Sequence, residues 1–318
     1  MNRITSKIIS AWKNALGDYN YREYQDADSI HRLLPYTISQ VYYKSKKLYK
    51  ILFCPFEYNS LKRSVYVSDD NDMIVYGFYH IFCATGWTEL VKDQVAELRN
   101  SGLLRRTNKL YVSCITQNEN DLDVIKDIIG RDKCEIVAVS NNDSAYEYPA
   151  LDAMQEKAKI SNRFFAYYFH TKGISYYWAS REQNPNKDSL ILCGFAWRKM
   201  MEYYCFVQYK IAIRALKQGY DCYGVYYKNY RDRHFAGNFW WADSEYLKKL
   251  PTISERERKD RLKAESWIGR NKHKAFVPFN TSAELYAINI GNLYKKGRVK
   301  DKIIFYLKSL NYYFKEKH

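Results

Sequence analysis

Apolar and polar positions from Met73 onward switch repeatedly between two periods. Met73 to Phe82 (MIVYGFYHIF) is a short β-branched and aromatic run suited to a buried strand. Trp87 to Leu104 then places Leu90, Val91, Val95 and Leu98 at helical spacing, and Ser101-Gly102 stands where a C-cap belongs. Lys109 to Ile115 predicts a second strand, Asp121 to Ile129 a short helix, and Glu135 to Val139 a third strand. Ala150 to Ala158 predicts another helix and Arg163 to Phe169 (RFFAYYF) a fourth strand. Strands alternating with helices predict an α/β fold with a mostly parallel sheet, whose ligands belong at the carboxyl ends of the strands. Phe195 to Gln218 reads as one long helix stopped by Gly219.

Outside this region the pattern is looser. The first 16 residues read as an amphipathic helix with Ile4, Ile8, Trp12 and Leu16 on one side, and Asp69-Asp70-Asn71-Asp72 is a turn-rich break. Gly291 to His318 is basic and aromatic, with Ile303, Leu307, Leu310 and Phe314 along one helical side, so it either lies on an anionic bilayer or docks on the protein. We expect an N-terminal mixed extension over 1–70, a catalytic domain over 71–275 and a basic amphipathic segment over 276–318.

Composition narrows the function. A net charge of +16 on 318 residues, 47% of them hydrophobic, describes a folded basic protein that attracts an anion. Seven scattered cysteines without Cys-x-x-Cys point away from a disulfide framework or zinc site and toward a reducing cytoplasm. No apolar run reaches the roughly 18 residues of a spanning helix.

Two stretches carry candidate chemistry. The fourth strand runs into His170-Thr171-Lys172-Gly173, where a His, a Lys and a Gly either hold a diphosphate or make a structural turn. His234 to Ala242 (HFAGNFWWA) sets aromatic faces beside an amide, with Asp243 and Glu245 following. That mixture suits a polyhydroxylated ligand, whose C–H faces stack on rings, and it also suits a buried aromatic strand with a capped helix after it. Ser254 to Lys274 alternates in charge like a solvated helix face, except at Ala264-Glu265-Ser266-Trp267-Ile268-Gly269.

Taken together, YGFYHIF, HTKG, GYDCYGV, HFAGNFWWA and AESWIG resemble the GT-A class of nucleotide-sugar glycosyltransferases, particularly bacterial enzymes of capsule and O-antigen synthesis, over about Ile74 to Ile268. The resemblance implies a GT-A-like sheet with helical additions at both ends, a nucleotide-sugar donor and a glycan or lipid-linked glycan acceptor. It implies nucleotide contacts from Tyr79, His80, Phe82, Asn142 and Asp143, with His170, Thr171, Lys172 and Gly173 at the diphosphate. It places the sugar and acceptor pocket at Gly237, Asn238, Trp240 and Trp241, with Asp221 beside them. Glu265 is the first choice of base, Asp243 the second and His234 the third. Such enzymes usually hold Mn²⁺ or Mg²⁺ through Asp-x-Asp at a strand end. Here HTKG stands at that place and Asp121-Leu122-Asp123 opens a helix, so no cofactor is assigned and a divalent metal is doubtful.

Three alternatives stand beside this reading: a silent relative that binds carbohydrate, a basic nucleic-acid-binding protein, and a glycoside hydrolase using Asp243 with Glu265. Nucleic acid is the weaker partner, since no helix-turn-helix, zinc-finger or RNA-recognition signature appears. The expected place is the cytoplasm, with the basic segments reaching an anionic inner membrane face.

Overall fold

The computed structural model describes residues 41–42, 45, 48–53, 55–61, 73–174, 187–229, 233–295 and 297–315. The expected N-terminal amphipathic helix and the acidic break at 69–72 lie outside these residues. The chain divides into two compact units, one drawn from 1–56, 281–284 and 298–318, the other from 57–280 and 285–297.

The larger unit is built on a seven-stranded sheet. Its strands are β1 (Val75–Phe82), β2 (Lys109–Ile115), β3 (Cys134–Ser140), β4 (Phe165–His170), β5 (Cys222–Gly224), β6 (Trp240–Asp243) and β7 (Ala275–Phe276). They lie in the order β3-β2-β1-β4-β6-β5-β7. All pairings are parallel except those of β6, which runs antiparallel to both β4 and β5. This is the mixed α/β, mostly parallel sheet that the alternating pattern predicts.

Helices α1 (Trp87–Asn100), α2 (Asn120–Ile129), α3 (Tyr148–Ile160), α4 (Lys187–Glu202) and α5 (Tyr209–Lys217) connect the strands. The two faces of the sheet carry different side chains because successive residues of a strand point opposite ways. On one face Tyr79 stacks on Phe169 at 4.0 Å and donates its hydroxyl to Gln94 of α1. On the other, Phe78, Tyr111, Ala166, Tyr168 and Trp240 form a buried cluster with Leu151, Met154 and Ala158 of α3. His80 and His170 continue that second face to the carboxyl ends of β1 and β4.

Phe195 to Gln218 is not one helix. α4 begins earlier and ends at Glu202, and a π turn at Tyr203–Val207 separates it from α5. A π turn loosens the carbonyl ladder, and core side chains take the carbonyls: Trp241 donates to Cys205 O at 2.8 Å and Tyr223 to Tyr204 O at 3.1 Å. The charged run from Ser254 is not one helix either. It breaks into a 3₁₀ turn at Glu257–Lys259, helix α6 (Arg261–Ser266) and a second 3₁₀ turn at Trp267–Gly269. Arg258 pairs with Asp152 of α3 at 2.8 Å, which ties this segment down beside the sheet.

In the smaller unit, α7 (Val299–Lys315) buries Phe305, Ser309 and Tyr313. No helix among the described residues is long and apolar enough to cross a membrane.

Candidate functional site

Strand register brings the first site residues together. His80 of β1 is the direct neighbour of His170 in β4 and of Ser113 in β2. The His80 Nδ1 accordingly lies 2.8 Å from Ser113 Oγ. Beyond these strand ends opens a cavity of about 370 Å³, within the size range of small-molecule sites. His80, Phe82, Ile115, Asp143, Tyr146, Glu147, His170, Thr171, Lys172, Gly173, Ile174, Arg261 and Glu265 line it. The wall therefore mixes cationic, anionic and apolar side chains.

Glu147 is the centre of the buried part. Tyr146, in the left-handed region at φ 48°, turns the chain inward just before α3, and Glu147 sits at the amino end of that helix. There the aligned peptide dipoles favour a negative charge. Its carboxylate accepts from Tyr168 at 3.0 Å and from the Asn238 amide, while Oε1 lies 2.9 Å from His170 Nδ1. That last contact lacks the alignment of a full hydrogen bond and is an ion pair only when His170 is protonated. Burial by itself pushes the Glu147 carboxyl up, but His170, His80 and the Asn238 amide outweigh it and bring it from 4.5 to about 2. Burial draws His80 the other way for a base, from 6.5 down to about 4, with Glu147 opposing and His170 adding. His80 is thus neutral at pH 7.

Across the cavity, burial lowers the Lys172 ammonium against the opposing pull of Glu265 and Glu147. Its Nζ lies 4.3 Å from the ring centre of Trp197 in α4, which limits where the side chain swings. Glu265 and Arg261 come from α6. Asp260 caps this helix by accepting from Leu262 N at 3.0 Å, and Trp267, just beyond it, is buried with its indole donating to Pro251 O at 3.1 Å. The anchored helix leaves Glu265 half-buried at the cavity wall.

HTKG is both a turn and a cavity wall. Thr171 stitches β4 to β1, donating its N–H to His80 O at 3.1 Å and accepting from Phe82 N at 3.0 Å. Of the remaining expected residues, His80, Phe82 and Asp143 line the cavity with HTKG and Glu265. Asn142 is exposed beside it, its side chain accepting from Ser144 N at 2.9 Å. Tyr79 points to the opposite sheet face, fully buried against Gln94 and Phe169, which removes it from nucleotide contact.

Several expectations for the signature stretch need correction. Trp240 and Trp241 are fully buried, packed on Tyr168 and Tyr167 respectively, so neither indole offers a face to a sugar. Asp243 and Asp221 lie at the other end of the sheet. Asp243 pairs in register with Phe165, at the amino end of β4, binds Arg163 at 2.6 Å and accepts from Glu245 N. Asp221 accepts from Lys274 N at 2.7 Å, and its carbonyl takes the Asp243 N–H. A base at Asp243, or a hydrolase pair of Asp243 with Glu265, is excluded by this separation along β4. His234 sits on a two-residue strand paired with Lys228 and is not a cavity residue. Gly237, at φ 90°, sits in the turn between that strand and β6: a Cβ there would meet Met201 and Trp197. Asn238 reaches the site indirectly, through Glu147.

Glu147, Tyr146 and Arg261 escaped sequence reasoning. The signal for Glu147 was Pro149, which marks a first helical turn and so makes Glu147, two residues earlier, the cap at the carboxyl edge of a parallel sheet. Asp121 opens α2 and accepts from Thr116, while Asp123 pairs with Arg131 at 3.2 Å. Among the described residues no cluster of three His, Cys, Asp or Glu side chains gathers to hold a metal.

No family model and no curated protein matches the chain. Among solved structures, 4-diphosphocytidyl-2C-methyl-D-erythritol synthase from Anaerococcus prevotii aligns at 12% identity over 75% of this chain and 97% of its own, with a TM-score of 0.30. HddC from Yersinia pseudotuberculosis aligns at 12% identity over 73% of this chain and 99% of its own, with a TM-score of 0.33. Likeness of this size assigns neither family nor activity, and the α/β assignment rests on the observed strand order.

Proposed function

We propose that the chain is a glycosyltransferase that moves one sugar from a nucleoside diphosphate sugar to a hydroxyl of a glycan acceptor. The observation that carries this reading is the cavity at the carboxyl ends of β1, β2 and β4, whose wall brings His170, Lys172 and Arg261 together with Glu265. A site for this reaction needs cations where charge grows on the leaving diphosphate and a carboxylate where a proton must go. In our assignment the acceptor oxygen bonds to the anomeric carbon as the bond from that carbon to the diphosphate oxygen breaks. The electron pair leaves with the nucleoside diphosphate, beside Lys172, Arg261 and His170. The acceptor proton passes to Glu265. Asp143, also in the cavity wall, binds donor hydroxyls.

The acceptor we favour is lipid-linked, in bacterial capsule or lipopolysaccharide synthesis, with the protein on the cytoplasmic side of the membrane. Support comes from α7, whose Val299, Ile303, Leu307 and Phe314 are all more than half exposed. Lys300, Lys308 and Lys315 flank them, as on helices that lie in an anionic lipid surface.

Thermal unfolding against a panel of UDP, GDP and dTDP sugars tests the donor. A ligand at 100 times its dissociation constant adds roughly 2.7 kcal/mol, so one donor class should raise the unfolding temperature clearly. A flat response across the panel would remove the reading.

A further inference from the structure

The signature stretch packs against the site without facing the cavity, which leaves open what its most unusual residue does. Asn238 is fully buried and held in the left-handed region at φ 58°. Its Oδ1 accepts the Trp240 indole N–H at 2.7 Å, which fixes the amide so that Nδ2 points at Glu147. Tyr168 donates to the same carboxylate oxygen. Oε1, the other oxygen, meets His170 Nδ1 at 2.9 Å. Two donors thus immobilise one side of a carboxylate whose other side touches an imidazole in the cavity wall.

We propose that Glu147 is a positioning residue for His170, and that Asn238 is the part of the signature stretch that holds Glu147 in place. With Nδ1 held 2.9 Å from the carboxylate, Nε2 is the ring nitrogen that His170 offers to a phosphoryl oxygen of the bound ligand. This rests on reading the cavity as a diphosphate site. The groups facing the pair are His80 from β1, Tyr168 from β4, Lys172 from the turn after it, Asp143 before α3, and Arg261 and Glu265 from α6. Of the two histidines, His170 is the one in direct contact with the Glu147 carboxylate, at 2.9 Å. Glu147 takes no proton in this scheme. It remains ionised while the leaving nucleoside diphosphate shares the His170 proton.

The test uses the full chain and inorganic pyrophosphate, titrated calorimetrically from about pH 5.5 to 8.5, with imidazole NMR of His170 over the same range. Wild type should bind. Glu147→Gln should bind about tenfold more weakly at pH 7, and the pH at which binding falls to half should move down, because the carboxylate 2.9 Å from the ring is gone. Glu147→Asp should recover part of the loss. Asn238→Gly, which tolerates the left-handed backbone, should shift the profile the same way by less, and it serves if Glu147→Gln does not fold. A uniform loss with no change in pH profile, or an unmoved His170 titration, would overturn the assignment. If wild type binds no pyrophosphate, the diphosphate reading itself fails and the ligand half of this inference with it, while the NMR still decides whether Glu147 governs His170.

Discussion

Burial sets the acid response of individual residues. His80 is held neutral because burial draws it from 6.5 to about 4, so the unfolded chain takes up a proton in that window and the folded chain does not. Stability from this group is present above pH 6.5 and drains away as pH falls toward 4. One pKa unit is about 1.4 kcal/mol, which makes the loss on the order of 3 kcal/mol. Glu147, drawn from 4.5 to about 2, adds a second loss as pH falls through that lower window. Denaturant titrations from pH 7.5 to 4.5 should show the first slope, and His80→Asn should flatten it. A parallel pH dependence in the variant would mean that His80 is protonated in the folded protein. Glu265 makes a separate prediction. Glu265→Gln should leave donor affinity nearly unchanged and lower transfer on the order of 10²-fold, measured as turnover at saturating donor. Parent-level turnover would transfer the base role elsewhere in the cavity.

Elements differ in how much of them the sequence disclosed. The first four strands were legible because each is a compact aromatic or β-branched run, and the paired histidines follow from register once those strands are parallel. HTKG was legible as a strand-end turn for the same reason. HFAGNFWWA was not, because aromatic residues suit a sugar pocket and a core equally, and only the antiparallel pairing of β6 between β4 and β5 decides for the core. The π turn was hidden because its residues are as apolar as the helices on either side. Glu265 is held by close backbone packing behind it: a Cβ on Gly269 would collide with the carbonyl of Arg233. Gly269→Ala should therefore displace this segment, costing about 2–4 kcal/mol in chemical denaturation and lowering transfer. Gly86→Ala is the contrast, since a Cβ there meets nothing within 4 Å and only its φ of 81° resists.

Over the whole molecule, the +16 charge favours anionic partners, and α7 adds an apolar stripe. Sedimentation with vesicles should show binding that rises with the fraction of anionic lipid and falls at high salt. Ile303→Gln with Leu307→Gln should weaken it several-fold while transfer to a soluble acceptor persists. Equal binding to neutral and anionic vesicles would remove the electrostatic part of this account. A concentration-dependent dimer abolished by the same pair would assign the stripe to a second copy of the chain. The most direct test of the central claim is a crystal structure with the nucleoside diphosphate sugar that stabilises the protein most. The account predicts the diphosphate within hydrogen-bonding distance of Lys172 and His170, with the anomeric carbon between it and Glu265. A ligand bound elsewhere while this cavity stands empty would contradict it.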